Sequence, residues 1–197
     1  MEFNMTFKLF GKVLTGFLKK RISDKTVINA VKDEYKKIAL RAKDIGGKNN
    51  LLSSYAMAAY FIAMNRCDGL SAEENIQILE EGLKTSKLVR MTLGSGDGYF
   101  DAKKTEHRKE WSKETHEHKY ENDWVVDILP KCEDYELGYD YHECGVCKLC
   151  EDEGCFELAK YLCRLDWLLV ELIGIHLERT QTLAEGGEKC DFRFQKK

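Results

Sequence analysis

The sequence predicts an α+β fold, with a helical N-terminal half packed on a C-terminal antiparallel sheet of about four strands and a long helix on one sheet face. Three observations carry this. Up to about residue 120, apolar residues recur at helical spacing, and Pro130 is the single proline of the chain. The period then shortens to two in "WVVDIL" and "ELGYDYHE". An apolar stretch too long for a strand, Cys155 to Ile173, separates these from a second pair of alternating runs. The 197 residues suit one domain, with a mainly helical part at 1–120 and a strand–strand–helix–strand–strand part at 121–197.

Each element has its own reason. "MEFNMTFKLFGKVLTGFLKKR" sets Phe3, Phe7, Phe10, Leu14 and Phe17 at roughly helical spacing, a face to cover the core or to join a second copy in a homo-oligomer. It lacks a small-residue cleavage site, so no export is expected and a cytoplasmic location is. Ser23-Asp24 opens a helix with Val27, Ile28, Val31, Tyr35 and Ile38 on one face, ending near Gly46-Gly47. The run from Asn50 to Arg66 is apolar but shorter than the roughly 20 residues that span a bilayer. It reads as a buried helix, and no membrane partner is expected. Ser71 with Glu74 has capping-box spacing, and Ile76, Leu79 and Leu83 continue that helix. "GSGDG" at 94–98 is a loop that follows no strand and so makes a poor phosphate cradle. From Asp101 to Tyr120 a solvated helix is anchored by Trp111, and on such a helix His116 and His118 diverge. "IHLERTQTLAEGG" and "KCDFRF" read as two strands joined at Gly186-Gly187.

The net charge of −3, from 31 basic and 34 acidic residues, supplies no general field for nucleic acid, and no basic stripe interleaved with aromatics is present. A small-molecule site is the better expectation, because strand parity exposes anomalies. Leu177, Arg179, Gln181 and Leu183 share one face, so Arg179 is in phase with apolar neighbours. A guanidinium turned inward needs an anion, either a protein carboxylate or a ligand. Cys190, Phe192 and Phe194 share a face, with Asp191 and Arg193 opposite. On the long helix Cys163, Asp166 and Trp167 lie on one side, and Asp166 is a plausible partner for Arg179.

Cys144, Cys147, Cys150 and Cys155 make the pattern C-x2-C-x2-C-x4-C. In a reducing compartment such clustered thiols point to metal or catalysis before disulfides. The last interval and the missing proline depart from the ferredoxin ligand run, so zinc is expected ahead of an iron–sulfur cluster if the four cysteines hold metal. Gly145 and Gly154 permit the bends such a clip requires. Packing without function is the bland alternative for this cluster.

"ECG", "CEDEG", "LCRLD" and "LERTQTLAEGGEKCDFRF" together resemble the L-2-amino-thiazoline-4-carboxylic acid hydrolase family, over Trp124 to Phe194 by sequence and over the helical half by layout. More remotely, the layout is similar to vinyl-reductase-type domains that bind small ligands without turning them over. The first resemblance implies hydrolytic opening of a cyclic amidine, 2-aminothiazoline-4-carboxylate, to an N-carbamoyl amino acid. It maps onto Cys144, Cys163, Asp166, Arg179, Thr182, Cys190, Asp191 and Arg193. Arg179, Thr182 and Arg193 would then bind substrate, with its carboxylate on Arg179 or Arg193. Asp166 or Asp191 would bind the amidinium or act as base, and Cys144, Cys163 and Cys190 would serve as nucleophile, proton donor or metal ligand. Cys147, Cys150 and Cys155 are additional to the family pattern. A non-catalytic ligand-binding or metal- or redox-sensing domain is the alternative reading.

Overall fold

The first helices are set by local caps. The computed structural model describes residues 3–197. The Asn4 side chain accepts from the Phe7 N–H (3.2 Å) at the start of α1 (Met5–Leu18), and Asp24 accepts from Thr26 (2.7 Å) at the start of α2 (Lys25–Arg41). α2 stops short of the glycine pair because Ala42 turns extended and the Asp44 carboxylate takes the Gly46 N–H (3.0 Å), a turn that competes with the helical ladder. α3 (Leu52–Cys67) is buried without a break from Tyr55 to Met64, as a helix apolar on every side must be. α4 (Ala72–Thr85) begins with the Ser71–Glu74 capping box.

Two readings of the middle stretch change. α5 (Lys87–Leu93) is followed by a single helical turn, α6 (Gly96–Tyr99), capped by Ser95, so "GSGDG" is only partly a loop. α7 (Ala102–Thr115) is polar but docked. Ser112 Oγ donates to the Val126 carbonyl (2.7 Å), and Thr115 Oγ1 accepts from the Val126 N–H (3.2 Å). His116 and His118 fall beyond its end, where helical divergence no longer applies. His116 pairs with one oxygen of Asp127 and His142 with the other, each at 2.9 Å.

Strands β1 (Val125–Leu129), β2 (Leu137–Glu143), β3 (Ile175–Glu178) and β4 (Cys190–Lys196) form one antiparallel sheet of order β1-β2-β4-β3. The expected α+β architecture is present, with Tyr141 opposite Cys190 and Tyr139 opposite Phe192. β3 is shorter than its alternating pattern, because Asp191 Oδ1 takes the N–H groups of Thr180 (2.9 Å) and Gln181 (2.8 Å). A 3-10 turn at Leu183–Glu185 then leads into the Gly186 turn.

The long helix is also interrupted. A 3-10 turn (Phe156–Leu158) leads into α9 (Ala159–Leu162), and α10 (Arg164–Ile173) resumes after Cys163. Arg179 Nη2 donates to the Cys163 carbonyl at that junction (3.1 Å), a tertiary bond invisible in local pattern. Before it, α8 (Gly145–Asp152) leaves the end of β2 directly. Leu149, Ala159, Leu165 and Leu168 share one apolar core with α1–α4, which joins the helical half to the site. Among the described residues no helix is long and apolar enough to cross a membrane.

Candidate active site

The start of α8 is set by close packing. A Cβ on Gly145 would lie 2.6 Å from the Asn122 carbonyl oxygen and 2.7 Å from the Trp124 ring, so only glycine lets the helix seat there. The helix therefore begins directly after β2, with Cys144 as its N-cap and the Lys148 N–H donating to the Cys144 carbonyl (3.0 Å). Cys147 sits one turn on. Both face a cavity of about 130 Å³, walled by α3, α8, α10 and the edge of β4.

Into the same cavity α10 brings Cys163 and Asp166, β4 brings Cys190 and Phe192, and the chain just beyond β3 brings Arg179. The parity argument thus holds at Arg179 although the strand has ended. Its side chain is only 7% exposed, and its Nη1 lies 2.7 Å from Asp166 Oδ2. The rings of Phe192 (5.0 Å) and Trp167 (5.5 Å) flank the guanidinium. The expected Arg179–Asp166 pair is therefore formed.

Asp166 keeps 38% of its side chain accessible and lines the cavity. Desolvation there pushes its pKa up to about 6, against the opposing pull of Arg179. The thiols differ from one another. Burial raises Cys163, with help from the Asp166 charge, and burial raises Cys190 to about 11 even though the Leu183 N–H points at its sulfur (3.2 Å). Both remain protonated at neutral pH. Cys144 moves the other way. The Cys147 S–H outweighs burial in favouring its thiolate, and the amide N–H groups of Cys147 and Val146 add to that, although no capping hydrogen bond to the side chain is closed. Cys147 is correspondingly raised. The cavity thus holds one sulfur whose thiolate is favoured beside others whose thiols are.

Three expected site residues lie elsewhere. Arg193 is on the opposite sheet face, where its Nη2 meets Asp140 (2.7 Å) beside Lys189 (2.5 Å), so its cation is already used. Asp191 clamps the turn after β3 through Thr180 and Gln181, and those bonds outweigh burial in holding its carboxyl below the usual range. Thr182 is buried, donates to Glu185 (2.8 Å) and accepts the Gly187 N–H (2.9 Å), which shapes the Gly186 turn. The four clustered cysteines do not converge either. Gly154, at φ +66°, returns the chain so that the Cys155 N–H reaches the Cys150 carbonyl (2.8 Å). Cys155 then pairs with Cys150 beside Arg66, and neither lines the cavity that Cys144 and Cys147 face. Among the described residues no three His, Cys, Asp or Glu side chains are grouped to hold a metal ion.

Ser54, Met57, Trp124 and Tyr141 also line the cavity and were not singled out from the sequence. Ser54 carried a faint signal, a hydroxyl one turn ahead of Met57 in an apolar helix. Burial drives the Tyr141 hydroxyl well above its ordinary pKa, which keeps it a proton donor.

No curated protein and no solved structure matches the chain. The model of one family does, over residues 19–194, a span that contains every cavity residue named above. The chain belongs to the L-2-amino-thiazoline-4-carboxylic acid hydrolase family.

Proposed function

We propose that this protein is a hydrolase that opens a small cyclic amidine carrying a carboxylate, 2-aminothiazoline-4-carboxylate or a close analogue, to an N-carbamoyl amino acid. The observation that carries the reading is Cys144, whose thiolate is favoured, sharing one cavity with an Arg179-held carboxylate and two protonated thiols. At about 130 Å³ the cavity is smaller than the roughly 300–1,000 Å³ of drug-sized ligand sites, so it suits a molecule of about one ring.

Cys144 Sγ attacks the amidine carbon while Asp166 holds the amidinium, which makes that carbon more electrophilic. The carbon–sulfur bond of the ring breaks, and the departing thiolate takes a proton from a neutral thiol, Cys163 or Cys190. The ring-opened amidine stays on Cys144 through its former ring carbon. Asp166 then removes a proton from water and passes it to the Cys163 or Cys190 thiolate left by the first step, the hydroxide adds to that carbon, and the Cys144 thiolate leaves with the N-carbamoyl product formed. Two of the five N–H groups of Arg179 serve Asp166 and the Cys163 carbonyl, which leaves others to bind the substrate carboxylate in this reading.

Incubating the protein with L-2-aminothiazoline-4-carboxylate and following thiol release tests this directly. Turnover that disappears in Cys144→Ala is expected. Failure to release thiol from neutral to alkaline pH, with or without added divalent metal, would sink the assignment.

A further inference from the structure

We propose that Cys144 and Cys147 are a reversible dithiol–disulfide couple built into the cavity wall, oxidised by a small hydroperoxide. The two residues occupy the N-cap and third positions of α8, one helical turn apart. The Cys147 thiol hydrogen-bonds to the Cys144 sulfur, so the two sulfurs are already neighbours. The Cβ atoms, about 5–6 Å apart at that helical spacing, must close by about 1–2 Å for a disulfide, a shift within the first turn of α8. Both residues line the cavity, Cys144 partly exposed and Cys147 buried. The hydrolytic steps above give Cys147 no role. A partly open cysteine at a helix N-terminus with a second thiol at C-x2-C spacing is the arrangement in which attacking and resolving sulfurs operate.

The chemistry balances. Cys144 Sγ, as thiolate, attacks one oxygen of the hydroperoxide, the O–O bond breaks, and hydroxide or alkoxide leaves with the electron pair. Cys144 is then a sulfenic acid. The Cys147 sulfur attacks the Cys144 sulfur and displaces hydroxide, which takes up the Cys147 proton as water. Two electrons have passed from the two sulfurs to the peroxide, and exchange with an external dithiol returns them. A cavity of about 130 Å³ admits hydrogen peroxide easily, whereas a bulky disulfide would have to reach Cys144 from outside. Cys150 and Cys155, five residues apart and likewise paired, stand outside this cavity and serve as an internal comparison. Where Cys144 is also the hydrolytic nucleophile, which rests on the proposed function, the couple switches the enzyme off reversibly.

The test is a thiol map of the folded full-length protein after brief exposure to hydrogen peroxide, quenched by alkylation. Loss of a hydrogen pair localised by fragmentation between residues 144 and 147, restored by dithiothreitol, is expected. In Cys147→Ser the sulfenic acid should persist at Cys144 and be captured by dimedone, while the wild type gives little such adduct. Cys147→Ala serves if the serine variant folds poorly, and the wild-type map decides by itself. Cys144 alkylated in full after peroxide, or linked instead to Cys163 or Cys190, overturns the proposal. The readout is mass alone, so the couple can stand when no hydrolysis is found, and fail when hydrolysis is found.

Discussion

Asp166 gives one carboxylate oxygen to Arg179 and leaves the other facing the cavity, and this division determines how it titrates. Desolvation favours the neutral acid and Arg179 favours the anion, with a balance near 6. A base must be deprotonated to act, so the rate is low below pH 6 and rises through it. Asp166→Asn should lower kcat by about 10²–10⁴-fold and abolish that rise in a pH–rate profile. Arg179→Met removes the group that lowers the Asp166 pKa, so the rise should move to higher pH, a displacement that general loosening of the fold does not produce. An unshifted rise in Arg179→Met would show that the guanidinium does not govern Asp166. Arg179 was legible because in-phase burial of a cation is anomalous in any strand. The activation of Cys144 was not, because it depends on where α8 begins and on a neighbouring thiol, both set by tertiary packing.

At the scale of elements, what could be read was what local chemistry decides. Asp24 and the Ser71–Glu74 box open α2 and α4 where their spacing places them, since a cap needs only residues two or three apart. The early end of β3 and the break before α10 were hidden, because Asp191 and Arg179 impose them from elsewhere in the chain. α8 is the element on which the site depends most, and Gly145 is its seat. Gly145→Ala drives a methyl group into the Asn122 carbonyl, a backbone atom that cannot step aside as a side-chain tip can. We expect a loss of about 1–3 kcal/mol in denaturant unfolding, typical of overpacking, together with slower alkylation of Cys144 as the helix N-terminus shifts. Gly47→Ala, with no atom within 4 Å of its added carbon, is the control and should change neither. Unchanged stability and alkylation in Gly145→Ala would mean that α8 does not depend on this contact.

Across the whole molecule, the layout of a helical half and a sheet half was legible because the hydrophobic period changes near residue 120, and period follows directly from backbone geometry. The fastening between the halves was not. Nothing in "CEDEGC" distinguishes Glu153 from its acidic neighbours, yet its side chain is only 5% exposed and holds Arg41 of α2 (2.5 Å) and Arg66 of α3 (2.6 Å). Arg66 also donates to the Glu153 carbonyl (2.7 Å), and Glu34 bridges the same two arginines. This network ties the turn after α8, and with it the Cys144 end of the cavity wall, to the helical half. Burial works against the Glu153 charge, but Arg41 and Arg66 outweigh it, so its folded pKa lies below the ordinary 4.5. A depressed carboxylate contributes stability in full above its unfolded pKa and loses that contribution as pH falls through the folded value. Glu153→Gln should therefore cost about 1–3 kcal/mol at neutral pH, less than a fully buried pair because solvent screens both arginines. The gap between the two proteins should narrow as pH drops below about 4.5, since protonation does to the wild type what the substitution has already done. Urea unfolding of both proteins from neutral to acid pH measures it, and a gap that stays constant across that range would show that charge pairing at Glu153 is not what fastens the halves.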